Sequence, residues 1–323
     1  MLLNAKNLTY AYGAKKVLNR LSFHLEAGER IGLAGVSGSG KSTLLKVLAG
    51  ELAVQKGELR YKNQAFEVQR KHLVPGHEEI KLLGQNFDLS PNLTVDENIT
   101  KRGRQLSTSR LKKHLGRSHR MLSLGSFKNQ KAKLLSGGQK QRAALAATLA
   151  ARPNLLLLDE PFNQLDYYLK LQVLEYLNQD YPELTRIMVS HEPTDLLAYS
   201  SRIVILQGGK IVQDASPFEA YHFPVNEYAA ALTGFYNVLN PLQQQLLKTE
   251  EKIIRPQHLK VQTQGISAQV KGVLFNGFTT LLSLSLKGDA PGELLYLNAG
   301  STDYSVGDIL SIALKKPSKK EGF

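Results

Sequence analysis

The sequence predicts an α/β fold followed by a small all-β domain, and three observations support this prediction. The segment 30–34 has the composition of a buried strand and leads through a glycine-rich loop into a helical pattern at 43–49. Four consecutive leucines at 155–158 are typical of a parallel-sheet strand that is buried on both faces. From residue 253 onward, short alternating runs between Gly or Asp turns predict a small barrel. Its five strands are expected at 258–262, 266–275, 279–286, 293–298 and 309–315.

The remaining segments complete this prediction in chain order. Residues 1–30 alternate apolar and polar side chains in short runs, which is typical of antiparallel strands. Residues 92–152 have a helical composition, whereas apolar strands are expected at 79–85 and 186–191 and a hairpin at 203–212. Residues 237–252 are predicted to form a connecting helix and linker, and a length of 323 residues suits about two domains.

The composition limits the compartment and the kinds of site. Apolar runs such as 155–158 and 203–206 are far shorter than the ~18 residues that span a bilayer, and the N-terminus lacks the pattern of a signal peptide. The sequence has no cysteine, which excludes disulfides and thiolate metal sites. We therefore expect a cytosolic or membrane-peripheral protein without a transmembrane segment.

The net charge of +13 is concentrated in one block. Residues 101–133 hold eleven Lys or Arg and no Asp or Glu. Such a block could face nucleic acid or an anionic membrane leaflet, or it could be a solvated helical face. Charge alone leaves these alternatives open.

The loop at 35–43 matches the phosphate-binding pattern G-x-x-x-x-G-K-[ST]. Its glycines let several backbone N–H groups point at one anion, and the following helix N-terminus favours phosphate charge. Lys41 can reach the β- and γ-phosphates, and the Ser42 hydroxyl can bind Mg²⁺. A glycine-rich turn that binds nothing is the alternative, but the flanking patterns favour a phosphate site. The residues expected to contact nucleotide here are Gly35, Ser37, Gly38, Ser39, Gly40, Lys41, Ser42 and Thr43.

Other candidate residues stand at the ends of predicted strands and helices. Asp159 and Glu160 follow the leucine strand, where α/β sheets place ligands, and His191 follows the next predicted strand. Ser136 and two glycines precede an alanine-rich helix and suit an N-terminus that leaves N–H groups for a phosphate. Tyr12 beside a glycine turn could stack on a purine, although half-exposed hairpin tyrosines are common.

Taken together in their order along the chain, these motifs resemble those of the ATP-binding subunit of an ABC transporter. The resemblance covers essentially the whole chain. The matching residues are the phosphate loop, the Q-loop Gln85, the signature 135–139, the Walker B strand 155–159 with Glu160, the D-loop 163–166, the switch His191 and the adenine-stacking Tyr12. The sequence departs from the family pattern at Gly84 before the Q-loop and at Asn163 and Gln164 in the D-loop, where small residues are common.

The resemblance implies ATP and Mg²⁺ as cofactors and assigns roles to these residues. Ser42, Gln85 and Asp159 would lie at the metal, Glu160 would be the general base, and His191 would contact the γ-phosphate. Gln85 would also link the site to the helical segment. The signature residues Ser136, Gly137, Gly138 and Gln139 would complete the ATP site of a second subunit, with Ser136 and Gly138 acting in trans, and Asp166 would also contact nucleotide. The simplest assembly is therefore a head-to-tail homodimer.

The C-terminal part resembles the TOBE, or OB-like, β domain of importer ATPases for polyamines, ferric iron, sulfate, molybdate and sugars. The resemblance rests on segments 254–259 and 304–310. It implies an ABC cassette at 1–238 with a helical subdomain at about 86–152, a linker at 239–252 and the β domain at 253–323.

These resemblances predict an ATPase that powers solute import. It would lie at the cytoplasmic face of the membrane and bind separate permease subunits through the helical subdomain. The block 101–133 would lie near the anionic membrane surface or meet acidic loops of the partner. A soluble ABC ATPase that acts on nucleic acid or ribosomes is the alternative, but the single cassette and the lack of a coiled-coil insertion argue against it, and no nucleic acid is expected. A nucleotide sensor without catalysis is disfavoured by the intact Glu160 and His191.

Overall fold

The computed structural model describes residues 1–66, 77–84, 86–277, 279–290, 292–300 and 303–315. Gln85 therefore lies outside the described residues. The chain divides into two compact units, Met1–Pro217 and Phe218–Phe323. Residues 218–238, which the resemblance assigns to the cassette, belong to the second unit, and the predicted division into cassette, linker and β domain stays a prediction.

An antiparallel sheet opens the first unit. Its strands are β1 (Leu3–Tyr12), β2 (Lys15–Leu25), β4 (Lys56–Tyr61) and β5 (Gln64–Ala65), in the spatial order β2-β1-β4-β5. The turn between β1 and β2 uses Gly13 at φ 57°, a conformation that glycine adopts without steric cost. The antiparallel strands predicted for residues 1–30 are thus present.

A six-stranded sheet forms the centre of the first unit. Its order is β10-β9-β3-β8-β7-β6, with all neighbours parallel except the edge pair β9 and β10. The strands are β3 (Arg30–Ala34), β6 (Ile80–Leu83), β7 (Leu155–Asp159), β8 (Thr185–Val189), β9 (Arg202–Gln207) and β10 (Lys210–Ala215). Every residue of β7 is buried, as the four leucines predict for a strand covered on both faces.

Helices cover this sheet and form the helical segment. They are α1 (Lys41–Ala49), α2 (Val95–Arg102), α3 (Thr108–Met121), α4 (Gly137–Ala150), α5 (Tyr167–Asp180) and α6 (Pro193–Tyr199). Leu44, Leu45 and Leu48 of α1 join one hydrophobic cluster with residues of both sheets, which fixes the start of α1 at the edge of the parallel strands. No helix in the described part of the chain is both long and apolar enough to cross a membrane.

Helix α3 is joined to α5 by charged and polar contacts. Arg117 Nε and Nη2 donate to the two carboxylate oxygens of Asp180 at 2.7 and 2.9 Å. Ser118 Oγ lies 3.2 Å from the Tyr176 hydroxyl, which lies 3.3 Å from the Tyr181 hydroxyl. The partly exposed Arg117 is therefore engaged in an ion pair between two helices and is not a freely available surface cation.

The second unit combines short helices with a four-stranded antiparallel sheet, in the order β15-β14-β13-β16. Its elements are α7 (Pro217–His222), α8 (Glu227–Thr233), β11 (Asn237–Val238), α9 (Pro241–Leu247), β12 (Ile253–Ile254), β13 (Leu259–Phe275), β14 (Thr280–Leu286), β15 (Leu295–Ala299) and β16 (Ile309–Leu314). The open curved sheet is a half-barrel consistent with the predicted OB-like domain.

One strand prediction in this unit is wrong. The segments 258–262 and 266–275 are not separate strands but parts of the single strand β13. Its pairing with β16 shifts register between Val261 and Ile266, so the predicted break is a bulge. A Cβ at Gly265 would lie 2.3 Å from the Ile312 carbonyl oxygen, and glycine therefore lets the two backbones meet where a turn was expected.

A buried cation organises the start of the second unit. The Arg255 side chain is fully buried and donates to the carbonyl oxygens of Tyr221, Ala230, Gly234 and Phe235, at 2.5 to 3.0 Å. These acceptors lie around the ends of α7 and α8, where helices leave carbonyl groups unpaired. The guanidinium therefore satisfies backbone groups that burial would otherwise leave unpaired.

Candidate active site

The phosphate-binding pattern forms the loop between β3 and α1, as predicted. A Cβ at Gly35 would lie 2.7 Å from the Leu206 carbonyl oxygen, so a larger residue would push the loop away from β9. Gly40 has φ 110°, and a Cβ there would lie 2.9 Å from the Val17 carbonyl oxygen. The loop therefore needs glycine at both positions, and no side chain in the described part of the chain caps the N-terminus of α1.

Lys41, the first residue of α1, folds over this loop. Its Nζ donates to the carbonyl oxygens of Gly35 and Val36 at 2.6 and 3.0 Å. Burial lowers the pKa of the ammonium, and the carboxylates of Glu160 and Asp159 oppose that effect. The lysine thus lies at the loop within electrostatic reach of both carboxylates that end the leucine strand.

Asp159, the last residue of β7, offers a carboxylate oxygen to a cation. The residue is buried, and its Oδ1 has no hydrogen-bond partner among the residues that the structure describes. Burial and the nearby Glu160 raise the pKa of the carboxyl group, while a hydrogen bond with the Ser42 side chain lowers it. A buried carboxylate with one oxygen left without a hydrogen bond, beside a hydroxyl, supplies the oxygen ligands that Mg²⁺ prefers.

This oxygen set is not a complete metal cage. Across the described ranges, no group of three or more His, Cys, Asp or Glu side chains could hold a metal ion. Mg²⁺ commonly keeps several waters and is held by one or two protein oxygens plus substrate phosphates. Ser42 and Asp159 fit that mode, which needs the nucleotide to complete the coordination.

Glu160 has a positive φ angle, and its carboxylate contacts two neighbouring side chains. It has φ 54°, which is uncommon for a residue other than glycine. Its carboxylate Oε1 lies 2.7 Å from His191 Nε2, and its Oε2 accepts a hydrogen bond from Asn163 Nδ2. The Glu160 carbonyl accepts from Gln141 Nε2 at 3.2 Å. The structure thus brings Glu160 and His191 together. It also places Gln141, and Asn163 from the predicted D-loop, against Glu160.

The signature residues form the N-terminus of α4, as the sequence predicts. Ser136 Oγ accepts from the Gln139 N–H at 3.4 Å, and Gln139 Oε1 accepts from the Ser136 N–H at 2.9 Å. This reciprocal capping box fixes the first turn. A Cβ at Gly138 would lie 2.6 Å from the Gln164 carbonyl oxygen, so the D-loop packs directly on the glycine end of α4.

Tyr12 and Asp166 lie at the ends of regular elements. Tyr12 ends β1, is half-exposed and contacts the Tyr10 ring edge-on with centroids 5.1 Å apart. Asp166 caps α5 by accepting from the Leu169 N–H at 2.9 Å. Neither contact excludes a nucleotide, and the nucleotide contacts predicted for both residues stay predictions.

A family model described as ABC transporter matches residues 18–163. The spermidine/putrescine import ATP-binding protein PotA of Thermotoga maritima is 32% identical over 265 residues, which are 81% of this chain and 69% of that protein. The chain belongs to the ATP-binding proteins of the ABC transporters. The maltose/maltodextrin import ATP-binding protein MalK of Vibrio cholerae is 29% identical, with 96% of this chain and 91% of that protein covered.

Solved structures agree with this assignment of the ABC family. A dimeric ATP-binding cassette in a post-hydrolysis state with ADP and Pi has a TM-score of 0.57 and 26% identity, over 67% of this chain and 99% of that chain. The predicted fold, the nucleotide-binding cassette and the ATPase subunit of the import type are confirmed by these similarities.

Proposed function

We propose that this chain powers solute import by hydrolysing ATP with Mg²⁺ at a site completed by a second copy of the chain. The observation that supports this proposal best is the grouping of Lys41, Asp159 and the Glu160–His191 pair at one edge of the parallel sheet. Phosphoryl transfer to water needs charge stabilisation and a positioned base, and this group of residues supplies both.

The phosphate groups are held by the loop between β3 and α1. Lys41 exchanges its contacts with the Gly35 and Val36 carbonyl oxygens for phosphate oxygens, which are stronger acceptors for an ammonium. The N–H groups of residues 37–43 and the N-terminus of α1 add donors to the same anion. Ser42 and Asp159, with Gln85 from outside the described residues, would hold Mg²⁺, which neutralises phosphate charge.

Hydrolysis requires a base for the attacking water, and we assign this role to Glu160. Its carboxylate accepts the proton of the water, while His191 holds Oε1 at 2.7 Å and contacts the γ-phosphate. Tyr12 stacks on the adenine ring from the end of β1. The exposed ring face and the rigid strand that carries it support this role.

The other half of the site comes from a second copy. Ser136, Gly137, Gly138, Gln139 and Asp166 act on the ATP of the partner. The capping box uses the N–H groups of Ser136 and Gln139, and the glycine N–H groups of the first turn of α4 are the donors for an anion. Ser136 is exposed at this end. The dimeric cassette with ADP and Pi to which this chain is similar also supports a dimer.

Partners in the membrane supply the transport path. We propose that separate permease subunits bind the helical subdomain formed by α2, α3 and α4, and that the chain lies peripherally at the cytoplasmic face of the membrane. The relatives named for import of spermidine/putrescine, of maltose/maltodextrin and of Fe(3+) ions support solute import. The basic block 101–133 would face the anionic membrane surface.

The variant Glu160→Gln tests the proposed function. It removes the proton acceptor but keeps the shape of the side chain, so we expect ATP binding and ATP-dependent dimer formation to persist while turnover falls at least about 100-fold. Phosphate release and size-exclusion chromatography with ATP measure these quantities. Glu175→Gln, at an exposed position of α5, is the matched control and should retain wild-type turnover. Hydrolysis by Glu160→Gln at the wild-type rate would contradict the role given to Glu160.

A further inference from the structure

The carboxylate of Glu160 is held at both of its oxygen atoms. Oε1 lies 2.7 Å from His191 Nε2, and Oε2 accepts a hydrogen bond from Asn163 Nδ2. Asn163 lies in the loop between β7 and α5, three residues after Glu160. The amide group of Asn163 can donate to a carboxylate, and a smaller apolar side chain there could not.

The backbone of Glu160 is fixed independently of this contact. Its N–H donates to the Val189 carbonyl oxygen at 3.1 Å, and its carbonyl accepts from Gln141 Nε2 at 3.2 Å. Gln141 is buried, and its Oε1 also accepts the Gln164 N–H at 3.3 Å. These bonds hold a residue whose φ of 54° is unfavourable for a side chain with a Cβ. What remains to be set is the orientation of the carboxylate group.

Two donors are needed to set that orientation. The terminal torsion of a glutamate side chain is broad, so a single hydrogen bond leaves the carboxylate plane free to turn. His191, which follows β8, contacts Oε1, and Asn163 of the D-loop donates to Oε2. Together these two contacts fix the plane of the carboxylate. The D-loop itself is anchored to α4 through Gln141 and Gly138, which keeps the Asn163 amide at a defined place.

We propose that Asn163 is a positioning residue for Glu160. Its side-chain amide holds Oε2 so that Oε1 faces His191 and the attacking water. This inference rests on the proposed role of Glu160 as the general base. It gives a function to a D-loop residue that the family pattern marks only as a departure.

The test compares Asn163→Ala and Asn163→Asp with the wild-type chain in steady-state ATP hydrolysis between pH 6 and pH 8. Loss of a hydrogen bond to a charged group predicts that kcat falls about 10- to 100-fold in Asn163→Ala, with KM for ATP within about twofold.

Asn163→Asp separates positioning from a merely structural role. At pH 8 two facing carboxylates repel, so kcat should fall at least as far as in Asn163→Ala. Toward pH 6 the pair can share a proton and re-form a hydrogen bond, so the ratio of this variant's kcat to the wild-type kcat should rise. Asn129→Ala and Asn129→Asp, at an exposed loop position between α3 and α4, are the matched controls and should leave kcat unchanged.

The outcomes distinguish this inference from the proposed function. If Glu160→Gln abolishes turnover but the Asn163 variants keep wild-type kcat, the positioning role is wrong and the general base stands. A reduced kcat in Asn163→Asp that shows no rise of the ratio toward pH 6 also overturns the positioning role. If Glu160→Gln turns over at the wild-type rate, both proposals are wrong.

Discussion

The Lys41 ammonium lies between two kinds of oxygen. Backbone carbonyls of the loop accept its hydrogen bonds, and the carboxylates of Asp159 and Glu160 act on it electrostatically. Burial lowers the pKa of the ammonium group, and the two carboxylates oppose this lowering. Among the described residues, the Lys41 ammonium donates to neutral carbonyl oxygens. A phosphate is a stronger acceptor, so exchange of these contacts for phosphate oxygens strengthens its hydrogen bonds.

The residues of the site differ in how far the sequence predicts them. Lys41, Ser42, Asp159, Glu160 and His191 could be predicted because each stands at a fixed distance from a glycine loop or at the end of an apolar strand. The contacts of Asn163 and Gln141 could not be predicted, because they join a loop and a helix face whose approach depends on packing. The departure of Asn163 from the family pattern was the one indication in the sequence.

His258 gives the second unit a dependence on pH. The residue is buried, and burial, followed by the charges of His222 and Arg255, lowers its pKa to about 4. The unfolded chain, with a pKa near 6.5, binds a proton that the folded chain does not bind between pH 6.5 and pH 4. As the pH is lowered from 6.5 to 4, the free energy of unfolding should therefore decrease by up to about 3 kcal/mol. Above pH 7, His258 should make no contribution to the pH dependence of stability.

Thermal unfolding of the wild type and of His258→Asn between pH 7.5 and pH 5 checks this prediction. The asparagine oxygen can replace Nδ1 as the acceptor for the Arg255 N–H, which His258 accepts at 3.3 Å. We expect a smaller drop in melting temperature with falling pH in the variant than in the wild type. Equal drops in the two chains would exclude His258 as the source of the pH dependence.

At the scale of elements, α3 carries four of the exposed cations of the basic block. Arg110, Lys112, Lys113 and Arg120 are exposed on it, whereas Arg117 is held by Asp180. Reversing the charge of Arg117 would break a bidentate ion pair between α3 and α5. Any loss of membrane binding would then have two explanations, so Arg117 is not a suitable probe of the surface.

The variant that combines Lys112→Glu, Lys113→Glu and Arg120→Glu tests the membrane contact of α3. Binding to vesicles with phosphatidylserine should fall several-fold at low salt, and the difference from the wild type should shrink as salt rises, because exposed charges are screened. Cosedimentation measures the bound fraction. The same charge change at Lys260, Lys271 and Lys287 of the second unit is the control. Equal binding of the two triple variants would mean that α3 does not face the membrane.

The elements of the first unit follow closely from the sequence, and those of the second unit do so less fully. The leucines of β7 and the glycine loop before α1 predict their structures because burial and backbone freedom leave few alternatives. In β13 the polar run around Gly265 suggests a turn, but the strand continues through a bulge there. Periodicity alone cannot separate a bulge from a turn, since only the partner strand β16 decides between them.

At the scale of the whole molecule, a head-to-tail dimer predicts that two inactive chains can restore each other. Lys41→Ala removes the phosphate contact of one half-site, and Ser136→Glu places a negative charge at the other half. Each variant alone should be inactive. In an equal mixture, half of the dimers are mixed and each mixed dimer has one intact site, so about a quarter of the wild-type rate should return.

Phosphate release by the two variants, measured separately and after mixing, checks this arrangement. Ser136 is exposed, so its substitution should cost the chain little beyond the loss of a helix cap, about 1 kcal/mol. Mixing Lys41→Ala with the wild type provides the reference for subunit exchange. No activity above the sum of the separate variants would contradict a site shared between copies.

The contacts of the buried Arg255 determine which C-terminal truncations leave the remaining structure intact. Its guanidinium binds carbonyl groups contributed by residues 221 to 235, so these residues depend on a cation that lies beyond them in sequence. A fragment that ends at 238, the boundary suggested by the family pattern, would keep α7 and α8 but remove the donor that satisfies their carbonyl groups. Residue 217, where the two compact units divide, is the better end point for expressing the ATPase part alone.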